Sequence, residues 1–349
     1  MAIFHKLNIE KIIKETADAV SILFTIPDEL KEVYTFIAGQ YITIKATLNG
    51  QEVRRAYSIC ASPNSHQLKV AVKAVEKGIF STYATTDLTE NTILEVSEPE
   101  GKFILEPTAD KNYLGFAAGS GITPILSMIK SVLENEPTAT FTLIFGNKRP
   151  ESTIFYQELN ALSQRYSGKF NLHYIFSKEV VNDTKFGRID TSYVNYFIKN
   201  IHKAISFDAT YICGPEEMIN LVSDTLQENG FAKDSIHFEL FTASSIEQEI
   251  PVASSDGKSE ITVLLDDEET TFLMDKTDTL LAASLRNKLD APYSCQGGVC
   301  SSCIAKVTQG KAVMSKNSIL SDAELEEGFV LTCVAHPCTP KVVLDFDDI

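Results

Sequence analysis

Apolar and polar positions along the chain change rhythm three times. Over roughly the first hundred residues they alternate. Tyr41-Ile42-Thr43-Ile44-Lys45-Ala46 places Ile42, Ile44 and Ala46 on one face of a strand. Asn49-Gly50 follows, a pair able to take positive φ at both central positions of a tight turn, so residues 51–59 read as the return strand. Residues 19–26, 67–75 and 92–96 have the same character. Short strands at this spacing predict a small antiparallel β-barrel.

From about residue 110 the pattern becomes strand and helix in turn. Apolar runs at 113–117, 141–145, Phe170–Phe176 and Ala209–Cys213 predict strands. Helical spacing recurs at 125–133, 154–162 and 215–229. Such alternation predicts an α/β domain with a parallel sheet covered on both faces. Residues 242–259 are rich in Ser, Ala and acids, lack periodicity, and read as a linker. A third unit follows, with strands at 261–265 and 271–274, a helix over 279–289, and a loop of cysteines. The expected division is a β-barrel over 1–107, an α/β domain over 108–241, the linker over 242–259, and a small α+β domain over 260–349.

The chain has 349 residues, enough for two or three domains that each bury a core. Hydrophobic residues at 44% and charged residues at 22% exclude wholesale disorder. With 31 Lys+Arg against 47 Asp+Glu the net charge is −16, which argues against nucleic acid as a partner. The start, Met1 to Lys6, runs into alternating sequence with no apolar signal core. No apolar run approaches about 18 residues, so a membrane span is not expected. A cytoplasmic location follows, where seven cysteines serve as metal ligands or reactive groups rather than disulfides.

Three of those cysteines form a C-x4-C-x2-C run, Cys295, Cys300 and Cys303, and Cys333 follows after 29 residues. This is the plant-type [2Fe–2S] spacing, in which four thiolates converge on two irons, three from one tight loop and one from a distant segment. Gly297, Gly298, Ser301 and Ser302 keep the loop small enough for backbone N–H groups to turn toward cluster sulfur. A four-cysteine structural zinc site is the alternative, but such sites pair two short hooks. Cys338 stands apart from the ligand set.

A second motif, Gly119-Ser120-Gly121-Ile122-Thr123-Pro124, follows a strand and opens a helix. Glycines there permit close backbone approach to a pyrophosphate, and the helix N-terminus supplies N–H donors. Pro124 suits a first helical turn. The motif departs from G-x-G-x-x-G, and a plain strand-to-helix turn is the alternative. Cys213-Gly214-Pro215 ends another strand at the same expected crevice. Cys213 is either a cofactor contact there or a small buried apolar residue.

These pieces in this order resemble the ferredoxin–NADP reductase superfamily, in the branch with a C-terminal plant-type ferredoxin domain. The resemblance covers essentially the whole chain and implies a flavin barrel, an NAD(P)-binding α/β domain and a β-grasp ferredoxin domain. Arg55-Ala56-Tyr57-Ser58 resembles the R-x-Y-S flavin motif. It implies that Arg55 pairs with the pyrophosphate of FAD, Tyr57 packs on the ring system and Ser58 reaches its reactive edge. Val72-Lys73 and Gly78-Ile79-Phe80-Ser81-Thr82 resemble the second flavin segment, which grips the pyrophosphate with backbone amides. Glu239 and Phe241 resemble the acid and the shielding aromatic at the end of the nucleotide domain, although ordinary strand packing is the alternative for Phe241. Ser58, Cys213 and Glu239 are the implied catalytic residues. Ser177-Lys178 resembles the S-R pair that binds the 2′-phosphate in NADP-specific relatives, so NADPH is expected over NADH.

The combination has a physical logic. A nicotinamide gives two electrons together, a [2Fe–2S] cluster takes one, and a flavin can do both. The six histidines show no metalloprotease spacing, and no G-x-S-x-G elbow is present, so the electron acceptor is expected to be another protein. An oxygenase component is the expected partner. A soluble electron carrier is the alternative, and a redox-sensing or electron-storage module is the non-enzymatic one. From residue 257 onward 15 acids face 8 bases, a net −7 in 93 residues against −9 in the other 256. The cluster domain is therefore expected to meet a basic partner surface.

Overall fold

Six strands account for the alternating N-terminal pattern in the computed structural model, which describes residues 3–241, 257–317 and 319–348. They are β1 (Phe4–Thr16), β2 (Ala19–Thr25), β3 (Tyr41–Leu48), β4 (Gln51–Ser58), β5 (Leu68–Lys73) and, after helix α1 (Ile79–Thr86), β6 (Ile93–Ser97). Their order is β4-β3-β6-β1-β2-β5. The two edges meet where Ile59 bridges Val70 and Cys60 N donates to Lys69 O at 2.9 Å, so the sheet curls into a barrel. Ile22, Ile42, Ile44, Val70, Val72 and Phe80 are among the side chains that fill it. Asn49 and Gly50 both take positive φ, at 51° and 77°, as the hairpin requires. Strand β1 is not among the expected strands: its start alternates, but irregularities between Ile9 and Lys11, and between Lys14 and Thr16, break the period beyond it.

The second rhythm becomes one parallel sheet. It comprises β7 (Asn112–Ala118), β8 (Thr140–Asn147), β9 (Phe170–Phe176), β10 (Lys185–Phe186), β11 (Ala209–Cys213) and β12 (Ile236–Glu239). Helices α2 (Ile122–Asn135), α3 (Tyr156–Arg165), α4 (Thr191–Tyr196) and α5 (Glu216–Glu228) connect the strands. Continuous burial along β7 and β8 shows that both faces are covered. The order β10-β9-β8-β7-β11-β12 reverses at β7, which puts the glycine turn at the topological switch point. Helix α3 starts at Tyr156, two residues later than its apolar spacing suggests, because Phe155 sits at φ 61°. Barrel and parallel sheet lie within one compact unit, Phe4–Phe241. Helix α2 is fastened to the loop after β4, with Ser127 Oγ donating to Ala61 O at 2.7 Å and Lys130 Nζ to Cys60 O at 3.0 Å.

The other unit holds the described residues from 257 onward. Its elements are β13 (Lys258–Leu265), β14 (Glu268–Asp275), α6 (Leu280–Arg286), β15 (Ile304–Gln309), β16 (Ala312–Met314), α7 (Asp322–Glu326), β17 (Phe329–Leu331), β18 (Ala335–Pro337) and β19 (Lys341–Asp345). Five strands order as β14-β13-β19-β15-β17, with β13 and β19 parallel and the other neighbours antiparallel. This is the ferredoxin-like α+β arrangement. Lys258 and Ser259, read as linker from composition, belong to β13, and residues 242–256 lie outside the described residues. Helix α6 is shorter than the expected 279–289, with Thr279 as its cap accepting from Ala282 N at 3.1 Å. Among the described residues no helix is long and apolar enough to cross a membrane.

Candidate functional site

Strand β4 delivers the R-x-Y-S residues to the end of the barrel. Tyr57 packs on Phe80, the second residue of α1, with ring centroids 5.7 Å apart. That contact joins the two stretches singled out for a flavin. Burial pushes the Tyr57 phenol up, and Arg55 opposes this. Arg55 Nη1 donates to the Arg54 carbonyl at 2.7 Å, and Ala56 pairs with Thr43 in the ladder. Val72 is fully buried, while Lys73 Nζ lies 3.6 Å from Asp18 Oδ2.

The entry to α1 fits a phosphate. A Cβ at Gly78 would fall 2.2 Å from Ser81 Oγ and 2.5 Å from Val75 Cγ2, so a larger residue would have to displace those side chains. The first helical bond runs from Thr82 N to Gly78 O, leaving the Ile79, Phe80 and Ser81 amides ahead of it. The Ser81 hydroxyl accepts from Val75 N at 3.2 Å and so braces the turn from within. These amides, the glycine cradle and the Tyr57 ring fit the pyrophosphate and ring system of FAD.

At the barrel–sheet junction Ser58 Oγ donates to Glu239 Oε2 at 3.0 Å, although 181 positions separate them. Glu239 and Cys213 are register partners on β12 and β11, which brings all three expected catalytic residues to one place. The Glu239 residue keeps some open surface, yet its carboxyl lies deep among protein atoms, and burial pushes it up to about 8 against the opposing Ser58 hydrogen bond. Cys213 is fully buried, and desolvation first, then the Glu239 charge, hold its thiol well above the ordinary range. A thiol held protonated in this way is not a thiolate nucleophile.

The glycine turn divides its work. A Cβ on Gly121 would lie 2.1 Å from the Cys213 carbonyl oxygen, so this glycine lets β11 and the start of α2 close together. Gly119, at φ 56°, has no neighbour within 4 Å of its would-be Cβ and forms the open floor. Ser120 is partly exposed, and its carbonyl accepts from Thr123 Oγ1 at 3.1 Å. Ile122, Thr123 and Pro124 are buried, so their side chains belong to the core and a ligand could meet only their backbone. Gly214 is hemmed by Met218 Cε, 2.6 Å from a would-be Cβ, and Pro215 precedes α5.

Ser177 and Lys178 leave β9 beside β8, with Ser177 N donating to Asn147 O at 2.9 Å and Lys178 N to Lys148 O at 3.0 Å. Asn147 Nδ2 is buried without a hydrogen-bond partner there, an orphan that sequence reading passed over because only the fold encloses it. Phe241 is 36% exposed at the end of its unit.

In the other unit the four expected ligand cysteines converge as free thiols. Cys300 Sγ is 3.1 Å from Cys295 Sγ, and hydrogen bonds link Cys333 with both Cys295 and Cys303. The bonds from Cys300 and then Cys333 hold the Cys295 thiol well below its ordinary range. Gln296 and Gly298 take positive φ in the tight loop, and Gly297 N donates to Cys295 Sγ at 3.4 Å. Thr332 ties the distant segment to the loop by donating N–H and hydroxyl to Cys303 O, at 3.0 and 2.9 Å. Ser294 Oγ is buried beside the loop with no partner. The thiols touch one another directly, and no three His, Cys, Asp or Glu side chains among the described residues are spaced around a single ion. Four free converging thiols with inward-turned amides are the donor set of a two-iron cluster. Cys338 stays outside, its thiol 4.0 Å from the His336 carbonyl.

Three family models match the chain. They are an oxidoreductase FAD-binding domain over residues 6–104, an oxidoreductase NAD-binding domain over 116–224 and a 2Fe-2S iron-sulfur cluster binding domain over 263–338. The chain is 40% identical to one of the subunits of 1,2-phenylacetyl-CoA epoxidase of Escherichia coli strain K12, across 99% of both proteins. It is 30% identical to the ferredoxin reductase component of 3-ketosteroid-9-alpha-monooxygenase of Rhodococcus rhodochrous, across 97% of this chain and 96% of that one. Among solved structures, phthalate dioxygenase reductase superposes with a TM-score of 0.65 at 25% identity, covering 98% of each chain.

Proposed function

The chain belongs to the ferredoxin–NADP reductase superfamily, in the branch with a C-terminal [2Fe–2S] domain, and we propose that it is the reductase component of a phenylacetyl-CoA epoxidase. It is an NAD(P)H-dependent oxidoreductase that passes electrons by way of FAD and a [2Fe–2S] cluster. The partner assignment is carried by the full-length 40% likeness to the Escherichia coli protein. It is supported by the segments Phe4-His5-Lys6-Leu7, Glu52 through Cys60, Gly146-Asn147-Lys148, Phe186 through Asp190 and Val342 through Asp347. The di-iron oxygenase component would be the electron acceptor. The boundaries 1–107, 108–241 and 260–349 belong to the same proposal, as does a cytoplasmic location, where free thiols stay reduced.

Bound flavin supplies the conversion from paired to single electrons. The chain's own residues prepare that exchange. Arg55 and the Gly78–Ser81 amides would hold the pyrophosphate, while Tyr57, wedged against Phe80, would fix the ring system. Gly119 leaves space for the nicotinamide nucleotide above the β7 edge, and Gly121 keeps that edge tight against Cys213. Ser58 and Glu239 form a proton-holding pair: a carboxyl near 8 can keep or release its proton at neutral pH, while the Ser58 hydroxyl donates to its Oε2. Cys295, Cys300, Cys303 and Cys333 would hold the cluster.

Anaerobic addition of NADPH or NADH to the flavin-loaded protein should bleach the flavin absorbance and then the cluster bands. Reconstitution with the oxygenase component should couple coenzyme oxidation to epoxidation of phenylacetyl-CoA. Bleaching without coupling, together with support of a 3-ketosteroid oxygenase or a soluble carrier, would move the partner to one of those. Absence of bleaching with either coenzyme would overturn the reductase reading.

A further inference from the structure

Four charged side chains meet where the barrel packs against the helices of the nucleotide sheet. Strand β1 supplies Glu15, β5 supplies Lys69, α2 supplies Lys130 and α3 supplies Glu158. Lys130 Nζ lies 2.6 Å from Glu158 Oε1, while Lys69 Nζ lies 3.9 Å from Glu158 Oε2 and 3.6 Å from Glu15 Oε1. Two cations balance two carboxylates, and Lys130, Glu15 and Lys69 are at most 15% exposed. Ser21 donates its hydroxyl to Glu15, and Lys69 Nζ stands 4.9 Å from the centre of the buried Phe155 ring. Burial pushes the neighbouring Cys60 thiol up to about 12, so it adds no charge to the group.

Lys130 does more than complete this charge balance. Its ammonium also donates to the Cys60 carbonyl at 3.0 Å, two residues past Ser58. A lysine ammonium has three N–H donors, and here two of them have acceptors on opposite sides of the seam. The same loop is held to α2 by Ser127 at Ala61 O, by Glu134 at Ser62 and by Asn135 at Asn64. Lys130 carries that connection on to α3 and, through Glu158 and Lys69, back to β5 and β1. It stands on the helix that the glycine turn opens, so one side chain links that turn's helix to the strand end bearing Ser58.

We propose that Lys130 is a positioning residue for electron transfer from coenzyme to flavin: through the Cys60 carbonyl it fixes the Ser58 edge of the barrel against Glu239 and the glycine turn. This rests on the nicotinamide-dependent reductase reading above. Donor and acceptor must be held in near-contact geometry, and a displacement on the order of 1 Å costs up to about a hundredfold in rate. Removing the ammonium leaves the Glu158 carboxylate and the Cys60 carbonyl without their shared partner, and the seam has to shift to satisfy them.

The test uses the full chain loaded with flavin and cluster. Lys130→Met keeps the apolar stem and removes the charge. Stopped-flow reduction of the flavin by NADPH or NADH should slow about tenfold, with coenzyme Kd moving less than about twofold. Lys130→Arg keeps a cationic donor and should recover most of the rate. Combining Lys130→Met with Glu158→Leu removes the stranded carboxylate, so the Tm lost in the single variant should return while reduction stays slow. The Ile59 and Cys60 amides, bonded to Gln40 O and Lys69 O at 2.9 Å, should exchange hydrogen faster in both Met variants and at the wild-type rate in Lys130→Arg. If the single Met variant does not fold, the neutral double variant carries the same rate and exchange readings. Unchanged reduction in the Met variants, recovery of rate together with Tm in the double variant, or unchanged exchange at residues 59–60 would each overturn the proposal. Should neither coenzyme reduce the wild-type flavin, the reductase reading falls, and exchange at residues 59–60 still decides whether Lys130 holds the Ser58 edge.

Discussion

Burial raises the Glu239 carboxyl to about 8, so at neutral pH most of it is protonated beside the Ser58 hydroxyl. In the unfolded chain the same group ionises near 4.5. Between those values the folded state holds a proton that the unfolded state has released, so stability falls as pH rises through the window from about 4.5 to 8. Glu239→Gln removes this titration. Calorimetry between pH 5 and 9 should show the fall in Tm reduced by several °C. The alkaline limb near pH 8 in coenzyme kcat/KM should vanish in the same variant. An unchanged pH slope in both measurements would mean that the carboxyl is solvated and takes no part in proton exchange. None of this was visible along the chain, because Ser58 and Glu239 meet only through the packing of barrel against sheet.

At the scale of elements, the proposed binding rests on two strand-to-helix turns, and glycine has a different reason at each position. Gly119 lies in the left-handed region, and open space surrounds it. Gly121 has ordinary backbone angles, with φ −62°, and is required because the Cys213 carbonyl occupies the place of a Cβ. The motif's spacing located the turn, but only the β7–β11 pairing distinguishes these roles. Gly121→Ala must force α2 away from β11. Because α2 is also fastened to the loop after β4, the displacement should reach the Ser58 edge. The expected outcome is a loss of about 2 kcal/mol in stability, the middle of the overpacking range, with coenzyme-driven flavin reduction slowed at least tenfold and flavin still bound. Normal reduction rates measured by stopped flow would show that the turn yields without consequence.

Across the whole molecule the negative charge is denser on the cluster domain, and Asp266, Asp267, Glu268 and Glu269 are exposed at one of its turns. The Asp347 carboxylate holds that turn, accepting from Asp266 N and Asp267 N, each at 2.9 Å. Electron delivery to the proposed oxygenase partner should slow several-fold as ionic strength rises from about 0.05 to 0.5 M, with ferricyanide turnover far less affected. A salt-independent rate would return the acidity to a solubility role. The sequence alone determined the features whose cause is local or compositional. The Asn49-Gly50 hairpin, the three-part rhythm, the cysteine spacing and the glycine turn were all legible because near neighbours or ligand chemistry dictate them. It missed β1, whose alternation is broken at its irregularities, and it set the start of α3 too early, at a residue held at positive φ. It also could not separate the core side chains of Ile122, Thr123 and Pro124 from a ligand-facing surface. Tertiary structure decided the long-range matters: closure of the barrel, the Ser58–Glu239 contact and the pairing of β10 with β9. Those depend on strand register, which is fixed only when distant segments pair, and a two-residue strand such as β10 carries too little pattern to announce its partner.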